Sequence, residues 1–280
     1  MTEETNHTTP QPFVKWAGGK RQILEEIKQY IPEEISTYYE PFVGGGAVLF
    51  DLMPDKAVIN DANRHIINVY KVVKNNIEEL IDDLKKHKNE EDYYYEIRSL
   101  DRKEIFKKMT KVEKASRILY LNKTCYNGLF RVNSSGEFNV PFGKYKNPDI
   151  VNEAVLRAVH RYLNNNNIRI LNTDFEEAMK GMRKEAFVYF DPPYFPISDS
   201  SNFTGYTLDG FDKQDQVRLK KLCDKLDSRN CRFLLSNSGA EFIQNLYSDY
   251  KVEVVKAKRS INSNAAKRGE IEEILVRNYG

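Results

Sequence analysis

Cysteine, histidine, tryptophan and net charge are all scarce in this 280-residue chain, and each scarcity removes a class of explanation. The three cysteines, Cys125, Cys223 and Cys231, are odd in number and follow no metal-ligand spacing. They give no disulfide framework and no zinc module, and they fit a reduced, cytoplasmic protein that needs no metal. No apolar run approaches the length of a membrane span, and Met1 to Gln11 has no signal-peptide core, so no membrane partner is expected. A net charge of +2 is too small to announce nucleic acid by itself. What is present is a soluble globular composition, 40% hydrophobic and 30% charged, long enough for one large domain or for two with one inserted in the other.

The charge is unevenly spread. Between Arg98 and Ile150 stand twelve Lys/Arg against five acids, an excess of about seven, which suits either a phosphate-facing surface or a solvated helix face. Elsewhere the chain alternates short apolar strands with helical patterns. Tyr38–Glu40, Ala57–Asp61, Ile168–Leu171, Phe187–Phe190 and Arg232–Leu235 read as strands. Lys20–Tyr30, Gly46–Leu52, Asn63–Lys74 and Lys213–Asp227 read as helices. Such alternation predicts an α/β fold on a parallel sheet. Lys251–Lys256 and Ile271–Arg277, with no helix between them, predict an antiparallel pair at one sheet edge. From about Val73 to Asn167 the rhythm changes to helices (Ile77–Lys88, Asp92–Ser99, Val112–Thr124, Ile150–Asn164). A β-hairpin turning at Asn133-Ser134-Ser135-Gly136 lies among them. Residues 1–12 are then a loose N-terminal arm, 73–167 an inserted module, and 13–72 with 168–280 the α/β domain.

The most informative motif is Asp191-Pro192-Pro193-Tyr194, directly after the apolar run Ala186–Phe190. A buried strand's carboxyl end is where open α/β sheets place ligands. Two prolines stop the strand and donate no backbone hydrogen, leaving one carboxylate, a carbonyl and an aromatic face. That set suits an exocyclic amine on a flat base. A plain strand end followed by a turn also fits. Glu40-Pro41-Phe42-Val43-Gly44-Gly45-Gly46 is a strand, a glycine turn and a helix start, which dinucleotide and adenosyl ligands share. Leu49 stands where a dinucleotide fingerprint expects another glycine. Asp61 ends the next strand, placed for ribose hydroxyls or for a turn. Asp174 suits a helix N-cap, with a rim contact to an adenine ring by Asp174 or Phe175 compatible with it. Lys20, at a helix start, opposes the helix dipole and wants a nearby anion. Trp16 is the sole tryptophan, beside two glycines, and reads as core or as a ligand edge. Cys125 to Arg131 mixes Tyr126, Asn127, Leu129 and Arg131 around a glycine, suited to base edges and a base-stack gap or to packing against helices. Lys258 and Arg259 open a basic loop that predicts backbone contacts to nucleic acid.

Lys15-Trp16-Ala17-Gly18-Gly19-Lys20, Glu40–Gly46 and Asp191–Tyr194, in that order, resemble the Dam-type, alpha-group DNA adenine-N6 methyltransferases. Asn127-Gly128-Leu129, Asn139–Gly143 and Glu273–Tyr279 extend the likeness over nearly the whole chain from Phe13. The text is most similar to the DpnM-like GATC methylases of restriction-modification systems. The resemblance implies a Rossmann-like, S-adenosylmethionine-dependent methyltransferase fold with a mixed sheet. It implies that 73–167 is a mostly helical target-recognition domain carrying the hairpin. S-adenosyl-L-methionine would be the cofactor, double-stranded DNA the partner, and no obligate protein partner follows. Matched positions imply donor contacts at Trp16, Lys20, Glu40, Phe42, Gly44, Gly46, Asp61 and Asp191. They imply DNA contacts at Lys15, Tyr126, Asn127, Leu129 and Arg131, and catalysis by Asp191, Pro192, Pro193 and Tyr194 on an extruded adenine. RNA adenine, DNA cytosine and protein glutamine acceptors are rivals, and Asp rather than Ser or Asn at 191 resembles the adenine class. A nicotinamide oxidoreductase is disfavoured by Leu49 and by the absence of a hydride-site histidine, since His7, His65, His87 and His160 all lie elsewhere. A DNA-binding regulator with a vestigial cofactor fold stays open.

Overall fold

A computed structural model describes residues 8–16, 18–197, 210–258 and 270–280. The strands are β1 (Tyr38–Glu40), β2 (Lys56–Asn60), β3 (Asn167–Leu171), β4 (Phe187–Phe190), β5 (Arg232–Ser238), β6 (Lys251–Lys258) and β7 (Glu270–Arg277). The helices are α1 (Leu24–Lys28), α2 (Ala47–Leu52), α3 (Arg64–Asn75), α4 (Ile77–Leu84), α5 (Glu91–Ser99), α6 (Ile105–Lys108), α7 (Lys111–Thr124), α8 (Glu153–Asn165), α9 (Phe175–Ala178), α10 (Lys213–Asp227) and α11 (Glu241–Leu246). The sheet is seven-stranded and mixed, in the order β3-β2-β1-β4-β5-β7-β6. β1 pairs in parallel with β2 and β4, and β4 in parallel with β5. β7 is antiparallel to both β5 and β6, so the expected terminal pair closes one edge. Among the described residues no helix is long and apolar enough to cross a membrane.

Two compact units make up the chain: Met1–Gly19, Gly44–Met53 and Asn63–Asn172 form one, and Lys20–Val43, Pro54–Ala62 and Thr173–Gly280 the other. In the second unit all four residues of β4 are buried, as a parallel strand covered on both faces requires. The strand order turns back at β1 and β4, which are neighbours, so their carboxyl ends form the switch point at which such sheets take ligands. Cys125, Cys223 and Cys231 are buried and in no disulfide, and burial pushes the Cys125 thiol up to about 12, which leaves it inert.

Sequence and structure part in places. The single helix expected over Lys20–Tyr30 is a 3-10 turn, Lys20–Gln22, followed by α1, with the break at Ile23, whose ψ of 17° is not helical. The helix expected from Ile150 starts at Glu153, where the Asn152 side chain accepts the Val155 N–H and fixes the first turn. The hairpin is present, with Val132 bridged to Phe138 and the Gly136 N–H donating to the Asn133 carbonyl.

The first unit spends most arginines of the basic stretch on its own backbone. Arg117 is only 2% exposed; it pairs with Asp101 at 2.8 Å and donates to the Ile97 and Arg98 carbonyls. Asp101 accepts the Phe138 N–H at 2.8 Å, Arg102 donates to the Phe138 carbonyl, and Arg98 with the Tyr94 hydroxyl donates to the Val140 carbonyl. These contacts clamp the hairpin to α5 and α7, while lysines of the same stretch such as Lys103, Lys108 and Lys111 are exposed. Asp101→Ala leaves a buried guanidinium unpaired and the Phe138 N–H without its acceptor. It is expected to destabilise the fold by about 3–5 kcal/mol, read as a lowered denaturant midpoint; an unchanged midpoint refutes the clamp.

Candidate active site

Asp191 follows the last residue of β4, and Pro192 and Pro193 end the strand there. Its Oδ1 lies 2.8 Å from the Lys20 ammonium, which is 5% exposed against 21% for the carboxylate side chain. The same ammonium stands 4.5 Å from the centre of the Tyr194 ring. The Tyr194 hydroxyl donates to Glu273 Oε2 at 2.8 Å, so β7 holds the far end of the ring. The anion that Lys20 lacked at its helix start is therefore Asp191. Burial pushes the Asp191 carboxyl up to about 6, Lys20 pulling it back down while the charges of Glu273 and Asp61 push it further up. The group is thus anionic at neutral pH but within reach of a proton.

The remaining strand ends of this unit are tied together by Asn60, 1% exposed. Its amide donates to the Pro41 and Thr173 carbonyls, each at 3.1 Å, and its oxygen accepts the Thr173 N–H at 2.9 Å. Glu40 is 2% exposed and accepts from the Tyr38 hydroxyl at 2.9 Å. Phe42 is half-buried, with ring centres of Phe175, Phe211 and Phe190 at 5.5, 5.7 and 6.5 Å. Asp61 is half-buried just past β2. Asp174 is the N-cap of α9, accepting the Glu176 N–H, and Arg218 grips both its oxygens at 3.1 Å. Phe175 is buried beneath the same guanidinium. The structural duty foreseen for Asp174 is thereby filled.

In the first unit, Trp16 stacks on Phe130 with ring centres 5.1 Å apart and planes at 25°. Gly44 has φ +45°, and a Cβ there would stand 2.7 Å from Trp16 Cδ1; Gly46 has φ +72°, and a Cβ there would meet the Tyr70 hydroxyl at 2.6 Å. Only glycine fits either position, which keeps the turn closed against Trp16. Lys15 is exposed, while its backbone N–H and carbonyl both bond to the Asn122 amide, which also donates to the Gly128 carbonyl. A Cβ at Gly128 would collide with the Lys15 side chain, so the turn bearing Tyr126 and Asn127 lies against Lys15. Tyr126 and Asn127 are exposed and Leu129 half-buried. Arg131 donates to the Asn139 side chain at 2.7 Å and to the Asn139 carbonyl at 3.3 Å, so part of its guanidinium fork is already used. The Lys258 backbone ends β6, paired with Glu270. Arg259 and the rest of the basic loop, like arm residues 1–7, lie outside the described residues.

Sequence reasoning placed Asp191, Lys20 and Tyr194 separately and missed that one ammonium serves both others. It also missed Glu273 as the hydroxyl's acceptor and Gln216, whose Nε2 donates to the Pro193 carbonyl at 3.0 Å. Glu273 had a signal in the terminal run Glu273–Tyr279; Gln216, inside an ordinary helical stretch, had none.

Comparison with known proteins bears on this geometry. The family described as D12 class N6 adenine-specific DNA methyltransferase matches residues 16–261. The chain is 46% identical over 279 residues to the Type II methyltransferase M1.LlaDCHI of Lactococcus lactis subsp. cremoris, covering 99% of this chain and 98% of that one. It is 44% identical over 289 residues to the Type II methyltransferase M.MjaIII of Methanocaldococcus jannaschii, covering 96% and 99%. It is 34% identical over 268 residues to the DNA adenine methylase of Escherichia coli K12, covering 94% of each. With an acidic proline corner at the sheet's switch point and a match spanning most of its length, the chain belongs to the D12 class of N6 adenine-specific DNA methyltransferases, enzymes that act on DNA.

Proposed function

We propose that this enzyme transfers a methyl group from S-adenosylmethionine to the N6 amino group of an adenine extruded from duplex DNA, at GATC, as the modification half of a restriction-modification pair. The observation that carries the chemical part is the corner at 191–194. Asp191 offers a carboxylate anionic at neutral pH. Among the described residues, the Pro192 carbonyl accepts no hydrogen bond, while that of Pro193 is taken by Gln216. Carboxylate and free carbonyl are two acceptors one residue apart, the number an exocyclic amine's two hydrogens need. Residues 73–167 are proposed as the target-recognition part. Support for the GATC site comes from the motif resemblance alone, and for the companion nuclease from that resemblance and from relatives named Type II methyltransferases.

The residues present suit the donor. Its cationic sulfonium and ribose hydroxyls call for carboxylates, and Asp61 lies near enough to Asp191 for its charge to act there. By motif position, Trp16, Lys20, Glu40, Phe42, Gly44, Gly46, Asp61 and Asp191 would hold it, with Asp174 and Phe175 at the rim. Bound S-adenosylmethionine supplies an electrophilic methyl carbon.

This chain's own residues orient the acceptor. Tyr194, its hydroxyl tied to Glu273, presents a fixed ring for the base to stack on. Asp191 and the Pro192 carbonyl accept the two amine hydrogens, which draws the nitrogen lone pair out of conjugation and leaves it free to attack. Lys20 stays on Oδ1 and keeps the carboxyl ionised, so the negative charge stabilises nitrogen as it becomes cationic. The N–C bond would form as the donor's methyl–sulfur bond breaks, that electron pair staying on sulfur as a neutral thioether. The amine becomes acidic only then, so its proton passes to water afterwards and no strong base is required. Lys15, Tyr126, Asn127, Leu129 and Arg131 would read or wedge the site, and Lys258 and Arg259 would meet backbone phosphate.

Tritiated methyl incorporation into adenine of unmethylated duplexes is expected with GATC and absent without it; label in both, or in neither, overturns the site or the activity. Asp191→Ala is expected to lower single-turnover transfer by about 100-fold or more in folded protein, and near-normal turnover refutes the corner's role. Because the ionised carboxyl is the working form, kcat/KM is expected to fall as pH drops through about 6. A profile flat from neutrality down to an ordinary carboxylate's range contradicts this assignment.

A further inference from the structure

The Asp191–Tyr194 corner cannot hold itself. Pro192 and Pro193 lack N–H groups, so the loop has few donors of its own, and its carbonyls must find partners elsewhere. The partner of the second is Gln216 on α10, fully buried, with Nε2 3.0 Å from the Pro193 carbonyl oxygen. Gln216 Oε1 in turn accepts from Asn237 Nδ2 at 3.0 Å, and Asn237, on β5, is also fully buried. Asn237 Oδ1 accepts the N–H groups of Phe195 at 3.2 Å and Ser238 at 2.8 Å, and Ser238 Oγ donates to the Phe195 carbonyl at 2.6 Å. Both ends of this relay fix its polarity. The Pro193 carbonyl can only accept, so Gln216 must present its NH2 to the loop and its oxygen to Asn237. The Phe195 N–H can only donate, so Asn237 must present its oxygen there and its NH2 to Gln216. One direction satisfies every group, and the amides are locked in it by burial.

We propose that Gln216 and Asn237 are positioning residues for methyl transfer. By taking the Pro193 carbonyl and the Phe195 backbone, they leave the Pro192 carbonyl as the corner's one available proline acceptor and fix the pitch of the Tyr194 ring between the two anchors. This rests on the proposed role of the corner. The relay touches neither base nor donor; it acts through the loop.

The test is single-turnover transfer at saturating duplex and donor, with dissociation constants for both measured separately and folding checked by circular dichroism. Gln216→Met keeps the length and removes the donor; it is expected to lower the transfer rate on the order of 100-fold while both dissociation constants stay near those of the unaltered enzyme. Gln216→Glu supplies the discriminating readout. Its carboxyl can donate to the Pro193 carbonyl only when protonated, so its rate relative to the unaltered enzyme is expected to rise as pH falls. A mere packing role predicts a flat ratio. A folded Gln216→Met with an unchanged rate, or a Gln216→Glu ratio independent of pH, overturns the proposal; if Gln216→Met does not fold, the Gln216→Glu ratio decides alone. Should Asp191→Ala retain turnover, the corner's role fails; should Asp191 matter and Gln216 not, only the relay fails.

Discussion

A carboxylate at the end of a fully buried strand is held in a difficult balance. Desolvation drives Asp191 towards its neutral form, and the neighbouring charges of Glu273 and Asp61 push the same way. Lys20 opposes them from 2.8 Å, itself almost without solvent. Removing Asp191 takes from the buried Lys20 ammonium its 2.8 Å anion, and removing Lys20 lets burial carry Asp191 further towards its neutral form. The rest of the second unit's site can be described as the scaffold of that pair. β4 delivers the acid, the short 3-10 turn at Lys20–Gln22 delivers the ammonium, and Tyr194 closes over it from a loop pinned at both ends. The broken helix at Ile23 then has a physical reason: a continuous helix from Lys20 would tie the lysine to the helix's own geometry rather than to the acid.

What the sequence disclosed, and what it did not, follows from the range of the forces involved. β4 and Asp191 were legible because a short apolar run before two prolines has few other meanings. The antiparallel pair β6 and β7 was legible because two strand patterns stood without a helix between them. Lys20's need for an anion was legible from its place at a helix start, though which anion was not. Gln216, Asn237 and the Tyr194–Glu273 bond were illegible, because each depends on residues at least 21 positions apart meeting across the fold. The basic stretch left a phosphate-facing surface and a solvated helix face both open for the same reason. Composition counts an arginine as surface charge, whereas Arg98 and Arg117 are drawn inward by carbonyls and by Asp101, and Arg102, though exposed, donates to the Phe138 carbonyl.

That inward use of arginine changes how the first unit works. A hairpin of isolated bridges has little stability of its own. Arg98 and Arg102 bind its carbonyls and Asp101 its Phe138 N–H, while Arg117 holds Asp101, and together they seat it on the helices. An element that is already ordered loses less entropy when it binds anything. The exposed Tyr126 and Asn127 stand on a turn kept in place by Asn122 and by the fit of Gly128 against Lys15.

The sheet's order leaves β6 outermost beside β7, with its far side unpaired by any other strand among the described residues. An eight-residue edge of this kind is a template onto which a second copy could add a strand. Lys251 and Lys256 are exposed along it, so two such edges approaching each other bring ammonium against ammonium. Those lysines act as gatekeepers against self-association, and the protection weakens as salt screens them.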